Sequence, residues 1–237
     1  MSLDNGTTFV LVHGAFHGGW CWDAVAEQLR ARGHRVFAPT LSGLSERRDG
    51  FSGGINLNTH VTDVISLIDE NNLAAIHLVG WSYGGMVITG VLGAAPKKIR
   101  AMTYLDAHLP AHHYSAASYL NVMERLVLRC VGAFGVGISA PEPRKWGIED
   151  ASLLAEIAPK LSAQPPRTFT QPVYAPEPWP EQIGYSYIRC RGYSGSVFDQ
   201  FYAKAVADAR FSTAEITASH AAVLTHPTDV AHALVRA

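Results

Sequence analysis

Short apolar runs alternate with amphipathic ones along the first half of the chain. Residues 9–14 (FVLVHG), 34–41 (HRVFAPTL), 75–80 (AIHLVG) and 98–107 (KIRAMTYLDA) are rich in β-branched and large apolar residues. Runs of this kind read as buried strands. Between them, residues 20–33 (WCWDAVAEQLRARG) have helical spacing and close on Gly33, a common helix stop. Residues 56–72 place Val61, Val64, Ile65 and Ile68 on one helical face, and a further helix is expected over residues 83–93. Strand–helix alternation predicts an α/β fold, with a mostly parallel sheet covered on both faces.

The rhythm breaks after Asp106. Residues 108–180 hold two helix-like stretches, 115–131 and 148–161, and a proline- and aromatic-rich stretch at 164–180 (QPPRTFTQPVYAPEPWP) that reads as a loop wrapping a surface. This block is expected to be an inserted helical cap on one domain spanning 1–237. Most of its large apolar residues, among them Tyr114, Tyr119, Met123, Leu126, Phe134, Trp146, Phe169 and Trp179, are expected to pack it onto the sheet, with a few lining a pocket. Alternation resumes with a strand at 185–190, a helix at 197–209, a strand at 211–218 and a last helix from Pro227. There is no internal repeat.

Composition narrows the function. The chain has 237 residues, 48% of them hydrophobic and 16% charged, with a net charge of −1. That fits a globular protein and, without a basic run, argues against nucleic-acid or membrane-surface binding. Three cysteines, Cys21, Cys130 and Cys190, are widely spaced and suggest neither a disulfide framework nor a zinc site. No signal sequence or apolar span is apparent, so a cytoplasmic protein is the default expectation.

The candidate chemistry centres on Gly80-Trp81-Ser82-Tyr83-Gly84-Gly85. G-x-S-x-G alone arises by chance in about one such chain in ten. Here it lies between a predicted strand and a predicted helix, the setting of a nucleophile elbow. Gly80 and Gly84 suit a tight turn, and Gly85 is expected to let the helix approach the sheet. After the first strand, VHGAFHGGW (12–20) is the kind of turn that supplies an oxyanion-hole N–H. Ala15 and Tyr83 are therefore the candidate donors. His13 and His17 read as residues that hold this turn by hydrogen bonds. His108, His112 and His113 lack a carboxylate at metal-ligand spacing, so no metal or cofactor is expected.

LVHGAFHGGWCW (11–22), GWSYGGMV (80–87) and SHAAVLTHP (219–227), in this order, resemble the α/β-hydrolase superfamily. The likeness is greatest to the branch of methylesterases and hydroxynitrile lyases and its bacterial ester, amide and carbamate hydrolase relatives. The resemblance implies the α/β-hydrolase fold, a Ser82 nucleophile and His220 as base, with His226 the lesser choice. It also implies an acid shortly after the penultimate strand, at or near Ser194, where this chain has no Asp or Glu. Asp106 at the end of the preceding strand is the first replacement, a triad without an acid the second, and Asp199 the third. The expected reaction is hydrolysis of a small, uncharged ester, lactone, amide or carbamate. The alternatives are cyanohydrin cleavage, which Ala221 and Gly14 disfavour, and a catalytically weak binding protein. A small-molecule substrate is the expected partner, and a homodimer is left open.

Overall fold

The computed structural model describes residues 6–193 and 196–237. Ser194, where the family's acid was looked for, lies outside the described residues. Among the described residues, six parallel strands form one sheet in the order β2-β1-β3-β4-β5-β6. They are β1 (Thr8–Val12), β2 (Arg35–Phe37), β3 (Ile76–Trp81), β4 (Ile99–Leu105), β5 (Gly184–Cys190) and β6 (Phe211–Ile216).

Every residue of β3 is buried, as expected for a central strand with both faces covered. The pleat sends alternate residues to opposite layers. Val10, Val12 and Leu78 face α2 (Leu57–Glu70) and α3 (Gly84–Ala94), whereas Phe9, Leu11 and Val79 face α1 (Asp23–Ala31) and α9 (Pro227–Arg236). Asn56 and Thr59 cap α2 reciprocally, and Gly33 ends the first helix in the left-handed region at φ +83°. The helix expected at 20–33 opens with a 3₁₀ turn, Gly19–Trp22.

Between β4 and β5 the chain leaves the sheet. Helix formation over 115–131 is interrupted: a 3₁₀ turn, Ala116–Tyr119, stops at extended Leu120, and Asn121 then caps α4 (Val122–Ala133). The second stretch contracts to α5 (Ala151–Ile157), capped by Asp150, because Pro159 follows within a turn and forces a 3₁₀ ending. A one-turn helix, α6 (Arg167–Thr170), sits inside the proline-rich stretch that read as loop.

One packing expectation is corrected here. Tyr114, Met123, Leu126 and Phe134 do not pack the segment onto the sheet; they are 47%, 67%, 54% and 83% exposed. Helix α4 buries none of its residues. The expectation rested on the number of large apolar residues in this segment, and on α4 Val122, Met123, Leu126 and Val127 stay 54–69% exposed.

After β5, α7 (Asp199–Ala207) leads to β6, and α8 (Ala222–Thr225) precedes α9. Among the described residues no helix is long and apolar enough to cross a membrane. Cys21 and Cys190 are buried and Cys130 is exposed; all three are free.

Candidate active site

Parallel strands gather their carboxyl ends along one rim of the sheet, where ligands bind in open α/β folds. Ser82 follows β3 directly and leads into α3. Its φ is +56°, a region that costs a non-glycine residue roughly 1–3 kcal/mol. Surrounding contacts hold it there. The Ser82 N–H donates to the Leu105 carbonyl at 3.3 Å, and the Ser82 carbonyl accepts from Gly85 and His108, each at 3.1 Å. A Cβ on Gly80 would lie 2.6 Å from the Gly84 carbonyl oxygen, so the turn closes only around a glycine. Gly84, not Gly85, makes the close approach to the sheet, against the Val12 carbonyl at the end of β1. Gly85 instead abuts the His108 carbonyl in the chain leaving β4.

His220 stands in the loop after β6, 8% exposed. Ser82 Oγ lies 3.0 Å from His220 Nε2, and His220 Nδ1 lies 2.6 Å from Asp106 Oδ2. Proton on Nδ1 and acceptor at Nε2 is the tautomer this pair of contacts selects. The ring is fixed on both sides. Trp81 Nε1 donates to the His220 carbonyl at 2.9 Å, and Phe198 stacks on the imidazole with centroids 4.8 Å apart.

Asp106 is fully buried, directly after β4, with φ +43°. Asp tolerates the left-handed region better than most residues. Both oxygens are occupied. Oδ1 accepts from Arg189 Nη1 at 2.6 Å and from the Cys190 N–H at 3.2 Å. Oδ2 accepts from Tyr193 OH at 2.5 Å as well as from His220. Burial first, and then the Asp106 charge, push the Tyr193 hydroxyl well above its usual range, so it remains a donor. Asp199 does not reach His220's acid position. It binds Arg189 from the far side, Nη2 to Oδ1 at 2.9 Å, with its side chain 45% exposed.

The turn after β1 lies against the nucleophile: a Cβ on Gly14 would sit 3.1 Å from Ser82 Cβ. Neither the Ala15 N–H nor the Tyr83 N–H donates a hydrogen bond among the described residues. The peptide carrying the Ala15 N–H is pinned through its other end, since His13 Nδ1 donates to the Gly14 carbonyl at 2.7 Å while His13 Nε2 accepts from the Leu41 N–H at 3.1 Å. The next peptide is held by His17 Nδ1 on the Ala15 carbonyl at 2.7 Å and by Gln164 Oε1, which accepts the Phe16 N–H at 2.9 Å. Burial pushes His13 down to about 4 and His17 down to about 3, so both stay neutral at neutral pH.

The matching family model carries the description alpha/beta hydrolase family and covers residues 9–233, nearly the whole chain. The chain belongs to the alpha/beta hydrolase family. It is 48% identical to the carbendazim hydrolyzing esterase of Nocardioides sp. (strain SG-4G) over 112 residues, 47% of this chain and 46% of that one. It is 30% identical to methylesterase 10 of Arabidopsis thaliana over 142 residues, 56% of this chain and 50% of that one. The matched stretches thus span about half the length of these curated relatives. Over the whole fold it is similar to the structure of an extracellular alpha/beta-hydrolase from a Paenibacillus species, with TM-score 0.81, 21% identity and 98% of each chain covered.

In this alpha/beta hydrolase the residues expected from sequence converge: Ser82, His220 and Asp106 form one hydrogen-bonded line, with Ala15 and Tyr83 beside it. His226 lies exposed, its ring Nδ1 2.9 Å from Oγ1 of the adjacent Thr225. His112 Nδ1 donates to the Ala175 carbonyl at 2.7 Å. Among the described residues no group of three His, Cys, Asp or Glu side chains could hold a metal. Sequence reasoning missed Arg189 and Tyr193. The available signal was a charged residue inside a strand pattern, which is rarely buried without a partner.

Next to the triad lies an apolar cavity of about 550 Å³ between His108, Tyr119, Phe169, Val197 and α4 residues Met123 and Val127. His108 and Phe169 connect it to the site, His108 through its N–H on Ser82 and its ring against Phe198, and Phe169 edge-on against Tyr83. Another cavity, about 510 Å³, lies between β5, β6 and α9 and touches none of the triad.

Proposed function

We propose that this protein is a serine esterase that hydrolyses a small, uncharged carboxylic ester, lactone, amide or carbamate through a Ser82 acyl-enzyme. The observation that carries the reading is the line Ser82–His220–Asp106, at 3.0 and 2.6 Å, beside two undirected N–H groups. In this scheme His220 Nε2 takes the Ser82 proton as Oγ attacks the carbonyl carbon. The Ala15 and Tyr83 N–H groups hold the oxyanion. His220 then protonates the leaving group, and afterwards takes a proton from the water that releases the acid and restores Ser82. Residues 108–180 act as the cap, and the cavity beneath α4 receives the apolar part of the substrate. Relatives named as esterases and methylesterases support an ester as substrate.

The runner-up, cyanohydrin cleavage, is less well supported. The lyases of the resembling branch carry lysine after the base and threonine in the oxyanion turn. This chain has Ala221 and Gly14, and a side chain at Gly14 would crowd both Ser82 and the Trp81 ring at 3.1 Å. A binding protein without catalysis would have no need of a buried carboxylate aligned on His220. Labelling by a fluorophosphonate tests the proposal: wild type is expected to be modified at Ser82 with loss of fluoride, and Ser82→Ala not at all. An unlabelled wild type would overturn it.

A further inference from the structure

The Asp106 carboxylate is paired with a buried cation as well as with His220. Arg189, on β5 and 1% exposed, places Nη1 2.6 Å from Asp106 Oδ1 and also donates to the Cys190 carbonyl. A guanidinium stays protonated, here all the more so: burial works against its charge, but Asp106 and its other partners outweigh that and raise it. A fixed positive charge therefore sits against the one carboxylate that touches His220. The guanidinium lies on the far oxygen, so it offsets part of the stabilisation that Asp106 gives an imidazolium. The other side of the guanidinium supplies the missing charge. Arg189 Nε and Nη2 reach Asp199 Oδ1 at 3.0 and 2.9 Å.

We propose that Arg189 and Asp199 are a positioning and charge-setting pair for His220, resting on the serine-hydrolase reading above. Arg189 holds Oδ1 so that Oδ2 faces the ring. Asp199 cancels the charge of Arg189, so that Asp106, Arg189 and Asp199 together carry −1, the charge of an ordinary triad acid. The relocation of the acid to β4 and the presence of a carboxylate at the start of α7 are then one arrangement. It replaces a single carboxylate after β5 by a carboxylate, a bridge and a counter-charge.

The other groups around the cluster leave this charge count standing. From β5 and the loop after it, Tyr187, Cys190 and Tyr193 are held neutral by burial. Beside the imidazole, burial lowers His17 to about 3 and His108 to about 4, so both are neutral. Arg191 binds Asp199 at 3.4 Å, but it is itself paired with Glu215 of β6 at 2.9 Å.

Asp199→Asn isolates the charge, because the amide oxygen still accepts from Arg189 and the side chain is half exposed. The readout is the rate of Ser82 phosphonylation by a fluorophosphonate against pH, which follows the unprotonated fraction of His220 and requires no known substrate. With one negative charge gone, the imidazolium is less stable, His220 loses its proton at lower pH, and the acidic limb shifts down. A shift of about half a pH unit is expected, with the plateau within about threefold of wild type. Asp199→Glu is expected to restore the wild-type limb. Arg189→Met, where it folds, is expected to lower the plateau about tenfold or more and to move the limb the other way. Superimposable profiles for wild type and Asp199→Asn, or an upward shift in Asp199→Asn, would overturn the proposal while leaving the esterase reading intact. Absence of labelling in wild type strikes the esterase reading itself.

Discussion

At the carboxyl ends of β3, β4 and β5, Trp81, Tyr83, Asp106 and Arg189 are each no more than 1% exposed, and both carboxylate oxygens of Asp106 have named partners. Across the cavity, α4 buries nothing, and Val122, Met123, Leu126 and Val127 are 54–69% exposed. The cavity that α4 lines reaches the rim through His108 and Phe169, and the two regions are held in opposite ways. The rim is over-determined, which is what allows it to keep two non-glycine residues, Ser82 and Asp106, at positive φ. The helix is under-determined: it has its own cap and lies against α6, but buries none of its residues. Chemistry would then belong to the rim and substrate choice to the helix, which can change without disturbing the triad.

Ser82→Ala should expose this division most strongly. Its kcat on a p-nitrophenyl ester is expected to fall by about 10⁶, with the melting temperature kept because alanine places the same Cβ at the same positive φ. A fall below tenfold would remove the rim from the chemistry.

Acid should act on the rim before the helix. His13, His17, His60 and His108 are buried and neutral, lowered by burial from 6.5 to about 4, about 3, about 4 and about 4. Their folded values lie below their unfolded ones, so protons prefer the unfolded chain. Stability is fully present above pH 6.5 and is lost as pH falls from there towards 4. Each such group is worth on the order of 3 kcal/mol, so urea midpoints should drop steeply over that window. Flat midpoints across it would contradict the account of a dry rim.

Tyr193→Phe removes one donor from Asp106 Oδ2 and leaves His220 in place. About a tenfold loss in kcat is expected, with KM unchanged, since a hydrogen bond to a charged group is worth about 1.5–3 kcal/mol. At the smallest end, Phe134→Ser on the helical side should change stability by less than about 0.5 kcal/mol, against about 2–5 kcal/mol for Leu78→Ala in β3. A large effect of Phe134→Ser would mean that the helix has a partner covering it.

What could be read from sequence follows the same division. Ser82 was legible because a nucleophile elbow is local: glycine spacing, the strand before and the helix after all lie within about fifteen residues. His220 needed the resemblance as well, and Asp106 needed the order of strands, since β4 neighbours β3 only in the folded sheet. Arg189 was missed because YSYIRC reads as an apolar run, and nothing in it says that two carboxylates, from β4 and α7, close on its fifth residue. For α4, the large apolar residues suggested packing, but composition does not say whether anything lies against them. The break at Leu120 depends on a cap, Asn121 with Glu124, that competes with simple continuation of the helix.

Asp106→Asn tests the central claim, that the carboxylate at the end of β4 serves His220, most directly. Burial and size are kept, but the amide cannot orient the imidazole as the carboxylate does. The account predicts that kcat on a p-nitrophenyl ester falls by about 10³–10⁴, with the protein folded and Asp199→Asn within about tenfold of wild type. An Asp106→Asn enzyme within tenfold of wild type would contradict it.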